Sequence, residues 1–575
     1  MTRTKSPPTL QIFIEPDASR SDPGILDRVV PLGAAHKGGQ SATRLVCFLF
    51  LVALSSNARS ADLDLPRTAG PFEPSWTSLQ AYNCPEWFRD AKFGIWAHWG
   101  PQSEAEDGDW YGRNLYIYGH EQNKYHVAHY GHPSEFGFKD LCNEWKAEHF
   151  DPAALLVAYK KAGARYFVAL ANHHDNFDMW NSRFQPWNAV NVGPKRDIIG
   201  AWAKAATDAG LRFGVSIHAS SAWSWFEVAR LSDPEGPHAN ITYDGNLTRE
   251  DGKGKWWEGL DPQDLYAQYG HKISANVLDR REALRNPGDQ PSPAYLRKYY
   301  DRVRDVVMSY HPDLVYFDDS RLPLNPAYGL SIVADIYNAN IAHHGGGNEA
   351  VVNTKRLDES QRHALVYDFE VGVPRGILPQ PWQVDACIGH WHYLRNAKYK
   401  RADQVVRALV DVVSKNGNLL LSIPLRADGT YDEQERQILA TIGDWLTLNG
   451  EAIYGTRPWL RFGEGPASEE NVPEIPKGGI PLYRKEPYVA EDIRFTTRDG
   501  ILYAILMEWP TNGHTRVRSL ASGAPGAEGV ISQVELLGAD APLPFTRSAE
   551  GLDVQLPARR VGDIAFVLKI SGQKK

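Results

Sequence analysis

Short apolar runs alternate with segments of helical period through the centre of this chain, and most of the short runs end in a histidine or a carboxylate. Residues Lys92 to Gly100 read as a first strand, with Trp96 and His98 on one face because strand side chains alternate. Asp151 followed by Pro152 is an N-cap with proline at the first helical position, predicting a helix over Ala153 to Lys161 that stops at Gly163. A strand over Arg165 to Leu170 follows and runs into Asn172, His173, His174 and Asp175. The unit then repeats: Ile198 to Ala209 is helical and closed by Gly210, and Arg212 to Ile217 is a strand ending in His218. Leu314 to Asp319 is a strand of β-branched and aromatic residues that ends in two acids. Polar residues at successive strand ends predict an α/β fold, a (β/α)8-like TIM barrel over residues 73–465 with its chemistry at the C-terminal face. A doubly wound open sheet is the alternative, but no glycine-rich phosphate loop follows any strand.

After about Pro466 the pattern changes to short runs separated by turn signals such as Asp499-Gly500 and Asn512-Gly513. Strands over Asp492 to Phe495, Leu502 to Leu506, Val530 to Leu537, Leu552 to Leu556 and Ile564 to Ile570 predict a C-terminal antiparallel β-sandwich at residues 482–573. It carries no acid/base constellation, which makes it a supporting or accessory sugar-binding domain. Between Ala219 and Gln290 an irregular insertion holds Trp223, Trp225, Trp256 and Trp257 and is expected to shape substrate access. At the other end, Arg44 precedes an apolar run from Leu45 to Leu54, with Ala58 and Ser60 placed for cleavage before Ala61. Residues 1–60 therefore read as a leader with an export signal, too short for a stable membrane anchor, sending the protein to the periplasm or outside the cell. The first ~30 residues are long and polar for such a leader and suggest a start codon further downstream, near Val30.

Composition changes this picture little. A net charge of −8 with both signs interspersed offers no basic stripe for nucleic acid. Of four cysteines, Cys47 lies in the leader, and Cys84, Cys142 and Cys387 form neither a CxxC pair nor a zinc pattern. Eighteen Trp and 26 Tyr supply flat faces of the kind on which sugar rings stack, although core packing accounts for most of them.

The acids and histidines carry the chemistry. Asp318 shares a strand face with Tyr316 and is the first candidate nucleophile, while Asp319 points the other way or lies in the following loop. Either acid could instead cap backbone N–H groups. A glycosidase needs a second carboxylate, and Glu370 is the candidate, with Asp368 competing in the same loop. His98, His173, His174 and His218 would converge on the barrel mouth, where imidazoles bind either sugar hydroxyls or a metal. Neighbouring His173 and His174 tend to point apart at a strand end, which favours the sugar.

These residues also carry a resemblance. Phe93 to Gly100 (FGIWAHWG), Asp109 to Asn114, Asn172 to Phe177 (NHHDNF), Leu314 to Asp318, Lys415 to Pro424 (KNGNLLLSIP), Asn449 to Trp459 (NGEAIYGTRPW) and Glu491 to Gly500 (EDIRFTTRDG) together resemble family 29 glycoside hydrolases, the α-L-fucosidases. The resemblance implies a retaining exo-enzyme acting on fucosylated oligosaccharide or polysaccharide without metal or organic cofactor. It places Asp318 as nucleophile and Glu370 in the region of the acid/base. His98, Trp110, His173 and His174 match fucose-contacting positions, and Tyr316 stands where many members have Trp. Three departures follow: Asp109 replaces a common Glu, the basic residue after the Asn353 strand is Lys355 or Arg356, and Gln383 replaces a Glu. With His218 these residues make up the expected sugar site. An inactive fucose-binding relative and a metal-dependent hydrolase built on the histidines are the alternatives.

Overall fold

The computed structural model describes residues 63–267, 273, 277–278, 291–468 and 479–573. The leader and export signal expected over residues 1–60 lie outside these residues. Eight parallel strands close into a barrel: β1 (Phe93–Ala97), β2 (Tyr166–Asn172), β3 (Arg212–Ile217), β4 (Leu314–Ser320), β5 (Val351–Lys355), β6 (Val366–Asp368), β7 (Trp382–Cys387) and β8 (Gly417–Ser422). Each strand pairs with the next, and β8 closes on β1 through Phe93 to Leu419 and Trp96 to Ser422. The strands are buried almost throughout because side chains fill the interior and helices cover the outside. That double burial explains why they read as apolar runs rather than as alternating ones.

The helices begin and end where local chemistry dictates. Asp151 caps α1 (Pro152–Lys161) by accepting from the Ala154 N–H, and Asp197 caps α2 (Ile198–Ala209) by accepting from that of Gly200. Gly210 closes α2 at φ 67°, a left-handed conformation that glycine adopts without a side-chain clash.

The structure decides one open reading and corrects another. Of the two placements open for Asp319 it takes the strand: β4 runs through Ser320, and the Asp319 carboxylate accepts from the Ser220 hydroxyl. The backbone pairing of Ser320 with Lys355 on β5 keeps the strand going past the catalytic face. Second, β6 falls in a segment read as a loop. It has only three residues, too few for a periodic signal, and is held by register with β5 and β7.

The C-terminal strands form two sheets. One runs β9 (Arg457–Glu464), β10 (Ile493–Arg498), β11 (Ile501–Leu506), β16 (Phe566–Gln573), β13 (Val530–Leu536); the other runs β12 (His514–Val517), β15 (Leu552–Gln555), β14 (Phe545–Arg547). Ile493, Phe495, Leu506, Val517, Val554 and Leu568 share the core between them. The strand β9 falls inside the range assigned by sequence to the barrel, yet it pairs with β10 of the sandwich.

Barrel and sandwich meet at a buried ion cluster. On α3 (Ala402–Ser414), Asp411 accepts from Arg494 Nε of β10 at 2.6 Å and from Lys415 Nζ at 2.7 Å. Burial would raise the Asp411 carboxyl, but the two cations beside it bring it down to about 2. Asp411→Ala leaves two buried cations uncompensated and should cost about 3–5 kcal/mol, read as a lowered Tm at neutral pH. A depressed carboxylate contributes its full stability above its unfolded pKa and loses it as pH falls through the folded value. The Tm gap between variant and parent should therefore narrow from about pH 4 down to about pH 2.

Candidate active site

A cavity of about 630 Å³ opens at the C-terminal ends of the barrel strands. His98, Asp109, Trp110, His173, His174, His218, Tyr316, Asp318, Lys355, Arg356 and Glu370, the residues expected from sequence, all line it. It is also lined by Asp385, Trp391 and His392, which sequence reasoning missed. The run Gly389 to His392 follows the end of β7 and repeats the strand-then-histidine pattern of β1 to β3, so the signal was there to be read.

Asp318, on β4, is held from three sides. Its Oδ2 accepts from His218 Nδ1 at 3.1 Å and faces His174 Nε2 at 3.4 Å, and its Oδ1 accepts from Lys355 Nζ at 2.5 Å. Burial opposes ionisation of this carboxyl, but the Lys355 ammonium and the two imidazole hydrogen bonds outweigh it and hold Asp318 well below the usual carboxylate range. The result is an ionised carboxylate fixed in the cavity.

Lys355 Nζ also donates to Glu370 Oε2 at 2.8 Å. The Asp318 and Glu370 oxygens are thus no farther apart than the sum of those two Lys355 contacts, within the separation of about 5–5.5 Å that marks double displacement. Glu370 moves the other way from Asp318: burial raises its carboxyl, the charge of Asp318 adds to that, and Lys355 opposes them. One carboxyl is pushed down and its neighbour up, the division a nucleophile and a general acid need.

The backbone at Glu370 is strained. Glu370 has φ 34° and Val371 φ 56°, both left-handed, and for a β-branched residue that is a costly conformation of order 1–3 kcal/mol. Surrounding hydrogen bonds impose it: Phe369 N–H donates to Gln383 O at 3.0 Å, Glu370 N–H to Asp368 Oδ1 at 3.0 Å, and Val371 N–H to Asp385 O at 2.9 Å. The Leu482 N–H in turn donates to the Val371 carbonyl at 3.0 Å, so the chain leading into the sandwich braces this turn.

The imidazoles form one cluster. His173 and His174 do not point apart as expected; their ring centroids lie 4.5 Å from each other, because β2 ends at Asn172 and the chain turns there. Ring nitrogens of His173, His174 and His218 lie within 4.8 Å of one another, close enough in principle for a metal. The hydrogen bonds argue for another use. Gln102 donates its amide to His173 Nδ1 at 2.7 Å, which leaves the proton on His173 Nε2 and makes that nitrogen a donor rather than a ligand. His174 Nδ1 donates to the His218 carbonyl at 2.7 Å. Burial and the neighbouring rings push His98 and His173 well below the ordinary imidazole value, and burial also lowers His218, so all three are neutral near pH 7. Both ring nitrogens of buried His98 and Nε2 of His218 lack a protein partner among the described residues. Unsatisfied buried groups of this kind suit a polyhydroxylated ligand.

Asp109 accepts from the His392 backbone N–H at 2.7 Å and lies beside the His390 and His392 rings. Burial raises its carboxyl, but these partners hold it well below the usual range. Trp110, 40% exposed, offers its face at the rim and meets Trp225 edge-on at 5.2 Å. Tyr316 is buried, edge-on to Trp96 at 5.5 Å. Arg356 lines the cavity beside Lys355, but Lys355 is the base that bridges the two acids.

A closed (β/α)8 barrel with two bridged carboxylates at its mouth and a cavity walled by histidines and indoles defines a glycoside hydrolase. The family model for alpha-L-fucosidase matches residues 61–451, and that for the alpha-L-fucosidase C-terminal domain matches residues 486–571. The chain belongs to the alpha-L-fucosidase family. It is 25% identical over 543 residues to the tissue alpha-L-fucosidase of Rattus norvegicus, covering 92% of this chain and 97% of that protein. With the plasma alpha-L-fucosidase of Homo sapiens it shares 27% identity over 504 residues, 85% of this chain and 89% of the relative. Among solved structures, Thermotoga maritima alpha-fucosidase in complex with fucose superposes with a TM-score of 0.62 at 26% identity, covering 87% of this chain and all of that one.

Proposed function

We propose that this protein is a retaining, exo-acting α-L-fucosidase in which Asp318 is the nucleophile and Glu370 the acid/base. The observation that carries the reading is the Lys355 bridge, which holds Asp318, kept ionised, and Glu370, pushed by burial toward its protonated form, no farther apart than the double-displacement separation. Asp318 attacks the anomeric carbon and the glycosidic bond breaks as Glu370 gives its proton to the leaving oxygen. Glu370, now a carboxylate, takes a proton from water, which attacks the same carbon, releases L-fucose and frees Asp318. His174 and His218 orient Asp318 through its Oδ2, and Lys355 steadies both carboxylates. His98 and His173 are placed to bind ring hydroxyls, with Asp109 and Trp110 lining the same cavity. Fucosylated glycans are the substrates this family relationship supports.

The test is proton NMR of an aryl α-L-fucoside during the first minutes of hydrolysis. The α anomer of fucose should appear first, with β-fucose growing later by mutarotation. A β anomer appearing first would show inversion and remove the double displacement, and absence of any release would leave a binding protein.

A further inference from the structure

Beside the two proposed catalytic acids lies a second carboxyl pair that the mechanism does not use. Asp368 on β6 and Asp385 on β7 are each 1% exposed, and their carboxyl groups are in hydrogen-bonding contact. Two carboxylates cannot form that contact, because each offers only acceptors; one of them must carry a hydrogen. The surrounding bonds show which. Asp368 Oδ1 accepts from the Glu370 N–H at 3.0 Å and Asp368 Oδ2 from the Gln383 amide at 2.8 Å, so both its oxygens act as acceptors. Asp385 Oδ2 accepts from the Tyr316 hydroxyl at 3.2 Å. Among the four oxygens only Asp385 Oδ1 accepts nothing from the described residues, and it is buried.

We propose that Asp385 is held as a neutral carboxylic acid that donates its proton to Asp368, and that this pair is a positioning device for Glu370. Asp368, kept ionised by that proton, grips the Glu370 N–H, while the backbone carbonyl of Asp385 grips the Val371 N–H. Together they hold the left-handed turn that aims the acid/base. Charge is the reason for a shared proton. The groups facing Asp385 are Asp318 and Tyr316 from β4, Lys355 from β5, Asp368 and Glu370 from β6 and its turn, and Cys387 on its own strand, with Tyr166 of β2 facing Asp368. Lys355 is the lone cation among them and already serves Asp318 and Glu370. A further ionised acid there would add repulsion without a partner, and burial and the Asp368 charge both press Asp385 toward its neutral form.

The inference rests on Glu370 as the acid/base only for its consequence; the state of Asp385 is read independently. Difference infrared spectroscopy of the wild-type protein against Asp385→Asn at pH 7 should show the C=O stretch of an un-ionised carboxylic acid lost in the variant. Loss of a carboxylate band in its place would overturn the proposal. Kinetics then separate positioning from mere support. Asp385→Asn keeps a neutral donor toward Asp368 and should hold kcat within about threefold, with the alkaline limb of its kcat/KM profile unmoved. Asp385→Ala, lacking the donor, should lose about tenfold in kcat with little change in KM. An alkaline limb that drops by a pH unit or more in Asp385→Asn would mean that a negative charge had been removed, and the neutral-acid assignment would fail. Equal losses in both variants would show a structural role alone and would equally refute it.

Discussion

Asp318→Ala is expected to lose at least about 10⁴-fold in kcat on every fucoside, the scale seen when a nucleophile that acts as part of a unit is removed. Fucose binding should survive, because His98, His173 and Trp110 do not depend on Asp318 for their placement. Lys355 would then lose one of its two carboxylate partners, and some loss of thermal stability should accompany the kinetic loss. The diagnostic readout is rescue. Sodium azide, small enough to enter the space left by the carboxylate, should restore turnover of an activated fucoside and yield fucosyl azide of inverted configuration. Near-normal activity in the variant, or azide product of retained configuration, would contradict the role given to Asp318.

Glu370→Ala should behave differently, and the difference separates acid from nucleophile. The loss should reach about 10²–10⁴-fold in kcat/KM for natural glycans, whose leaving groups need a proton, and be far smaller for aryl fucosides with acidic leaving groups. Azide should again rescue, this time giving fucosyl azide of retained configuration, because the covalent intermediate on Asp318 still forms. The pH profile adds a check with a definite sign. Wild-type activity should fall as pH rises through the Glu370 value, which burial and the charge of Asp318 raise above the ordinary Glu range. In Glu370→Ala that alkaline limb should vanish, while the acid limb set by Asp318 remains well below the ordinary carboxylate range. A limb left intact would assign the titration to another group, with Asp368 and Asp385 the nearest acids.

Much of this site was legible before any coordinates, and the reason is geometric. A barrel gathers strand ends, so a list of polar residues that follow apolar runs is already a list of neighbours. His98, His173, His218 and Asp318 were found in that way, and all four line the cavity. Strand alternation chose Asp318 over Asp319, and the structure keeps that parity while carrying β4 on to Ser320. Glu370 was harder to see because its strand, Val366–Asp368, is three residues long and its turn is held by backbone bonds to Gln383 and Asp385, which leave no periodic trace. Lys355 was expected to contact sugar; that it bridges the two acids depends on where its amino group comes to rest. Asp385 stayed hidden for the plainest reason. A single acid inside a strand reads as an exposed position on one face, and only barrel closure shows that this face is the interior. The strand Arg457–Glu464 was assigned to the barrel because it follows the last barrel helix directly, whereas its pairing partner lies thirty or so residues further along.

The central claim is a fucosyl group covalently linked to Asp318, and trapping that ester tests it most directly. Incubation with 2-deoxy-2-fluoro-α-L-fucosyl fluoride slows breakdown of the intermediate more than its formation, so the adduct should accumulate. Mass spectrometry of the intact protein should show one added fluorofucosyl group, and peptide mapping should place it on Asp318. An adduct on Asp319, Glu370 or any other residue, or inactivation with no adduct, would contradict the account.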